Sequence, residues 1–128
     1  MDVTIEETIC FDIYMGGDIR EAEQVCREYC WGAPDNACVH VEAVQYIYKG
    51  GEETGFKVGL INYPKFPTSE SRLREVAFNL AEMLMSKLFQ KTCSIVGKDN
   101  TWWLSRKSPW EKYGGKDNVR PRCKTGKP

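Results

Sequence analysis

Seven stretches of this chain alternate between a two-residue and a 3.6-residue repeat, and their order leaves room for few folds. "TICFDIYMGGD" sends Ile9, Phe11, Ile13 and Met15 to one side and Cys10, Asp12 and Tyr14 to the other, the pattern of a half-buried strand. Gly16-Gly17 ends it. Asp18, with Glu21 three residues on, has the spacing of a helix cap and its partner. Ala22, Val25, Cys26, Tyr29 and Cys30 then recur at helical spacing until Gly32 and Pro34. "CVHVEAVQYIY" alternates again, with Val39, Val41, Ala43 and Ile47 on one face. "KGGEETG" reads as a turn and "FKVGLINY" as the next strand, so the pair predicts a hairpin. Pro64 and Pro67 stop that strand, Thr68 or Ser69 caps a second helix running to about Gln90, and "TCSIV", "GKDN" and "TWWLSR" read as strand, turn and strand.

The order is βαββαββ. It predicts an α+β fold related to the split βαβ, ferredoxin-like plan with one added strand, both helices lying on one face of a mainly antiparallel sheet. The 128 residues suggest one modest core, and 41 % hydrophobic with 28 % charged residues is ordinary globular composition. The formal net charge is zero, but seven basic residues and two acids fall between Lys107 and Pro128, so that tail is +5 and residues 1–106 are −5. The expected organisation is a single domain over 1–106 and a basic, mostly irregular tail over 107–128. An acidic body is no generic polyanion binder, so long nucleic acid is not an expected partner.

The second helix buries more than one face of a small sheet needs. Leu73, Val76, Ala77, Leu80, Leu84 and Leu88 form one stripe, and Phe78, Met85 and Phe89 form another roughly 120 to 160 degrees away. The second stripe is expected either to pack on another protomer, giving a dimer or larger homo-oligomer, or to line a ligand pocket.

Catalytic motifs are scarce. His40 is the lone histidine and sits mid-strand, and nothing matches a nucleophile elbow or a phosphate loop. The six cysteines include Cys26 and Cys30 one helical turn apart but no CxxC pair, so no metal and no cofactor are expected. With no signal-peptide pattern and no membrane-spanning apolar run, the expected location is the reducing cytoplasm with free thiols. What stands out is aromatic and amide chemistry: Tyr14, Asn62, Tyr63, Phe66, Phe78, Asn79, Trp102 and Trp103, with Arg72, Arg74, Arg106 and Lys107 nearby in sequence. Aromatic faces stack on bases, amides read their edges and Arg forks grip phosphate, so this is a kit for a nucleotide. "NYPKFP" between strand and helix is the candidate pocket rim.

"FDIYMGGDIREAEQVCREYC", "YIYKGGEETGFKVGLINYPKFP" and "VGKDNTWWLSRK" together resemble the phage-encoded Thoeris anti-defence proteins of the first type, over most of residues 9–107. The resemblance implies a non-catalytic sponge that sequesters a cyclic ADP-ribose isomer, and in some members cyclic oligonucleotides, to inhibit bacterial anti-phage defence. It further implies ligand sites at protomer interfaces and the cytoplasm of the host cell as the location. An aromatic and an Asn of the long helix carry over as Phe78 and Asn79, and an arginine near the last strand as Arg106. A second C-terminal arginine is absent, with Lys107 in its place, which puts a cyclic-oligonucleotide site in doubt. The expected ligand-binding set is Tyr14, Asn62, Phe66, Arg72, Phe78, Asn79, Trp103 and Arg106, with no catalytic residue. The competing readings are a small phosphodiesterase-like nucleotide-processing enzyme, or a structural phage accessory protein acting through oligomerisation only.

Overall fold

The computed structural model describes residues 1–33 and 37–106; the expected basic tail over 107–128 lies outside the described residues. The elements follow the expected order: β1 (Cys10–Gly16), α1 (Ile19–Gly32), β2 (His40–Tyr48), β3 (Gly51–Ile61), α2 (Glu70–Lys87), β4 (Thr92–Val96) and β5 (Thr101–Ser105). They form one five-stranded sheet in the order β2-β3-β1-β4-β5, antiparallel at each pairing. This is the split βαβ plan extended by β5 at one edge.

The β1 alternation sets which face is covered. Phe11 pairs with Leu60, Ile13 with both Val58 and Ile95, and Met15 with Phe56. All of these are buried, in one core with Ala22, Val25 and Cys26 of α1 and Leu73, Ala77, Leu80 and Leu84 of α2. Each such large aliphatic side chain contributes about 1.5–3 kcal/mol by leaving water. Both helices therefore pack on one face. The other face carries Asp12, Tyr14, Glu42, Lys57, Ser94 and Trp103 by the same registers, and no described helix covers it.

Local chemistry sharpens several boundaries. "EETG" belongs to β3 and not to the turn: Tyr48 pairs with Gly51, which leaves only Lys49 and Gly50 as the loop. Gly50, at φ 88°, takes a left-handed conformation that glycine adopts without steric cost. Asp18 caps α1 by accepting from the Arg20 N–H at 2.7 Å. Ser69, not Thr68, caps α2, its Oγ accepting from the Arg72 N–H at 3.2 Å.

α2 stops at Lys87, earlier than the expected Gln90. Phe89 takes a left-handed φ of 56°, and the Gln90 N–H donates to the Met85 carbonyl at 2.9 Å. That is a Schellman closure with phenylalanine where glycine is favoured.

The second α2 stripe is explained within the chain. Phe78 meets Trp102 of β5 edge-on, with ring centroids 5.5 Å apart, and Met85 is 4 % exposed. The added strand widens the sheet, so the helix packs a second flank toward β5. Phe89, outside the helix, is the exposed member of the three. Among the described residues, no helix is long and apolar enough to cross a membrane.

Candidate functional site

Two concavities of opposite electrical character hold four of the eight expected ligand-binding residues. The first lies on the helix-free face of the sheet. Strand registers align Glu42, Lys57, Tyr14, Ser94 and Trp103 in one row across all five strands. At the end of β1 this row opens into a depression of about 210 Å³ lined by Tyr14, Tyr46, Glu53, Gln90, Ser94 and Trp103. Tyr46 pairs with Glu53 across the β2–β3 hairpin. Its ring lies over Gly55, where a Cβ would collide with both the ring and the Met15 carbonyl, so glycine is required there. The Tyr46 hydroxyl is within 3.2 Å of the Met15 and Phe56 carbonyls, which fixes the ring flat on the sheet. Burial raises the Tyr46 hydroxyl pKa against the lowering effect of the Met15 bond, so the phenol stays protonated.

Charge on this face is lopsided. Among the described residues of the sheet, Asp12, Glu42 and Glu53 face one ammonium, Lys57. Desolvation alone would lower the Lys57 pKa, but the Asp12 and Glu42 carboxylates outweigh it and raise it. Lys57 Nζ lies 3.5 Å from a Glu42 oxygen and 6.0 Å from the Tyr14 ring centre. An acidic, aromatic-lined surface of this kind suits a cation.

The second concavity, of about 300 Å³, lies where β3 gives way to α2, and is lined by Cys38, Tyr63, Lys65, Phe66, Arg72 and Leu73 among others. Pro64 sits inside a tight turn closed by the Phe66 N–H donating to the Tyr63 carbonyl at 2.8 Å. Burial first, then a hydrogen bond and charge from Cys38, raise the Tyr63 phenol pKa. Among the described residues no carboxylate lines this cleft.

The eight expected ligand residues therefore do not form one site. Tyr14 and Trp103 meet at the sheet face, and Phe66 and Arg72 at the connector. Phe78 lines a shallow groove with Trp102, Asn79 is exposed on α2, and Arg106 lies beside Met85 and Leu104 past β5. Asn62 is a brace: only 7 % exposed, its amide donates to the Glu7 carbonyl and accepts from the Thr68 N–H, both at 2.8 Å. It ties the N-terminal segment to the start of α2 and has little left for a ligand. Tyr46 and Glu53 were not among the expected residues; the hairpin register, once its two-residue loop is placed, is the signal that finds them. Among the described residues no group of three or more His, Cys, Asp or Glu side chains stands ready to hold a metal.

No protein-family model and no curated protein matches the sequence. Two solved structures share the fold. A phage SAM lyase in the apo state aligns with a TM-score of 0.53 at 12 % identity, over 78 % of this chain and 90 % of that one. A phage SAM lyase in complex with S-methyl-5′-thioadenosine aligns with a TM-score of 0.53 at 15 % identity, over 82 % and 95 %. These findings overturn the expectation of a non-catalytic sponge for cyclic ADP-ribose isomers and the expectation that the protein is no enzyme: both of these structures are of phage SAM lyases. The expectation came from the resemblance of three sequence stretches, and the surplus α2 stripe and the missing catalytic motifs were only compatible with it. β5 accounts for most of the stripe, and the lack of a familiar catalytic motif does not exclude an enzyme.

Proposed function

We propose that this chain is an enzyme that cleaves S-adenosylmethionine by a lyase reaction, holding the substrate on the helix-free face of the sheet. The observation that carries the reading is the depression lined by three aromatic rings and a carboxylate, set on an acidic face of a fold shared with SAM lyases. The substrate is a purine joined to a sulfonium, so it needs a stacking surface and a home for positive charge. Tyr14 and Trp103 flank Ser94 in one row, and two strand spacings put them about 10 Å apart at the backbone. A purine resting on the small Ser94 side chain then touches an aromatic face on either side.

The chemistry asks little of the protein. The bond from sulfur to the γ-carbon of the amino-acid chain breaks and its electron pair goes to sulfur, releasing neutral methylthioadenosine. The substrate's own carboxylate oxygen bonds to that γ-carbon and closes a five-membered lactone. No proton moves and no co-reactant is consumed. Positive charge on sulfur disappears in the transition state, so a carboxylate against the sulfonium would stabilise the wrong state. Glu53 serves better on the substrate ammonium, whose charge persists, and anchoring the ammonium at one end and the purine at the other sets the substrate's carboxylate in line with the breaking bond. Origin in a phage, a small-molecule partner and action in the cytoplasm belong to the same proposal.

The test is incubation of the purified protein with S-adenosylmethionine and chromatographic identification of the products. Methylthioadenosine and homoserine lactone are expected, with kcat/KM reduced at least about tenfold in Glu53→Gln and in Trp103→Ala. Substrate that stays intact in the presence of folded protein refutes the activity. Cleavage untouched by both variants refutes the site.

A further inference from the structure

The connector cleft between β3 and α2 plays no part in that reaction, and its chemistry is opposite to that of the sheet face. We infer that it is a second ligand site, for a planar heteroaromatic ring carrying an anionic head, a phosphate or a carboxylate. Leu60, Leu73 and Val76 form its apolar wall, and Tyr63 and Phe66 supply two rings. Lys65 and Arg72 bring positive charge, with no carboxylate among the described lining residues. At about 300 Å³ the cleft reaches the lower end of the range typical of small-molecule sites, about 300–1,000 Å³.

The walls are built rather than incidental. Tyr63 and Phe66 are held at the two ends of the proline turn by the 2.8 Å backbone bond between them. The Asn62 brace fixes where that turn leaves the sheet and where α2 begins. Lys65 Nζ lies 5.7 Å from the Phe66 ring centre, which keeps the ammonium beside an aromatic face. Arg72 bonds Glu75 at 2.7 Å and contributes its charge from that paired position. The protonated Tyr63 phenol adds a polar group beside Cys38. A cationic sulfonium nucleoside is disfavoured here by Lys65 and Arg72, whereas the same ring bearing an anion satisfies rings and cations together.

Calorimetric titration of the full chain with AMP, adenosine-5′-carboxylate and adenosine tests the proposal in the absence of S-adenosylmethionine. One or both anions are expected to bind, and to bind at least about tenfold more tightly than adenosine. Binding of AMP alone identifies a phosphate head, and binding of both admits a carboxylate. Lys65→Glu is expected to abolish anion binding, and Phe66→Ala to weaken it, while both variants keep wild-type turnover of S-adenosylmethionine. Both residues are exposed loop positions, so the fold is expected to survive, as checked by circular dichroism. Absence of binding by either anion, equal affinity for adenosine, or anion binding unchanged in Lys65→Glu overturns the inference. Because the titration needs no turnover, failure of the lyase reading leaves this result standing.

Discussion

The two faces of this sheet are made by the same strands and obey different physics. Ile13 and Tyr14 are neighbours in β1, yet Ile13 is fully buried under the helices while Tyr14 looks onto the helix-free side. The covered face is apolar and closed and carries the stability of the fold. The open face carries Glu42, Lys57, Tyr14, Ser94 and Trp103 in a line, at modest cost to stability, and there the proposed chemistry resides. The sharpest way to break this comparison is to truncate both neighbours. Ile13→Ala is expected to destabilise by roughly 2–5 kcal/mol through lost transfer energy and a cavity. Tyr14→Ala is expected to cost about 1 kcal/mol or less while abolishing most turnover. Urea unfolding and a turnover assay on the two variants decide it; comparable stability losses would mean that the open face is also structural.

A second test uses thiols on the covered side. Burial raises Cys93 from an ordinary 9.0 to about 11, and burial, followed by the charges of Cys30 and Glu23 against that of Arg27, raises Cys26 to about 12. The unfolded chain ionises these thiols near pH 9, whereas the folded chain keeps their protons. Their stabilising contribution is thus whole below pH 9 and is lost as pH climbs toward 11 and 12, on the order of 1.4 kcal/mol per pH unit for each thiol. Thermal melts between pH 8 and 11 should fall above pH 9, and the fall should be shallower in Cys93→Ala.

Much of the covered face was legible in the sequence, because burial imposes a repeat. Ile9, Phe11, Ile13 and Met15 announced their side by alternation, and Leu73, Val76, Leu80 and Leu84 did so at helical spacing. The open face imposes no such repeat. Tyr46 and Glu53 acquire meaning only from a register that the two-residue Lys49-Gly50 loop decides. Trp102 and Trp103 are adjacent in sequence but lie on opposite faces, one against Phe78 and one in the depression. Asn62 looked like a ligand amide because a buried brace and a base-reading group use the same side chain; its partners, Glu7 and Thr68, are a matter of tertiary position.

Phe89 sharpens the comparison at the seam between the faces, where α2 ends and the chain turns toward β4. Its φ of 56° places a bulky side chain in a conformation that costs roughly 1–2 kcal/mol, and at 85 % exposure its ring recovers little of that by burial. Phe89→Gly is expected to raise stability by about 1 kcal/mol, read as a higher urea midpoint with an unchanged slope. A lower midpoint would show that the ring packs against something in solution, such as a second copy of the chain.

The smallest expected effect separates the ion pairs of the two sides. Lys87 and Glu28 join α2 to α1 at 3.0 Å with side chains 50 % and 45 % exposed. The Lys87 and Gln24 hydrogen bonds and the Lys87 charge hold the Glu28 pKa below its ordinary value. Lys57 and Glu42 pair across the open face at 3.5 Å, with Lys57 only 22 % exposed. Water and salt screen the first pair almost fully, so a double-mutant cycle should return little coupling. The second is better shielded and shares its ammonium with Asp12, so its coupling should be the larger of the two and should survive 1 M salt better. If the Lys87–Glu28 coupling proves the larger, side-chain exposure is the wrong measure of these charges. The acidic character ascribed to the open face would then have to come from the summed field of the body and not from its local carboxylates.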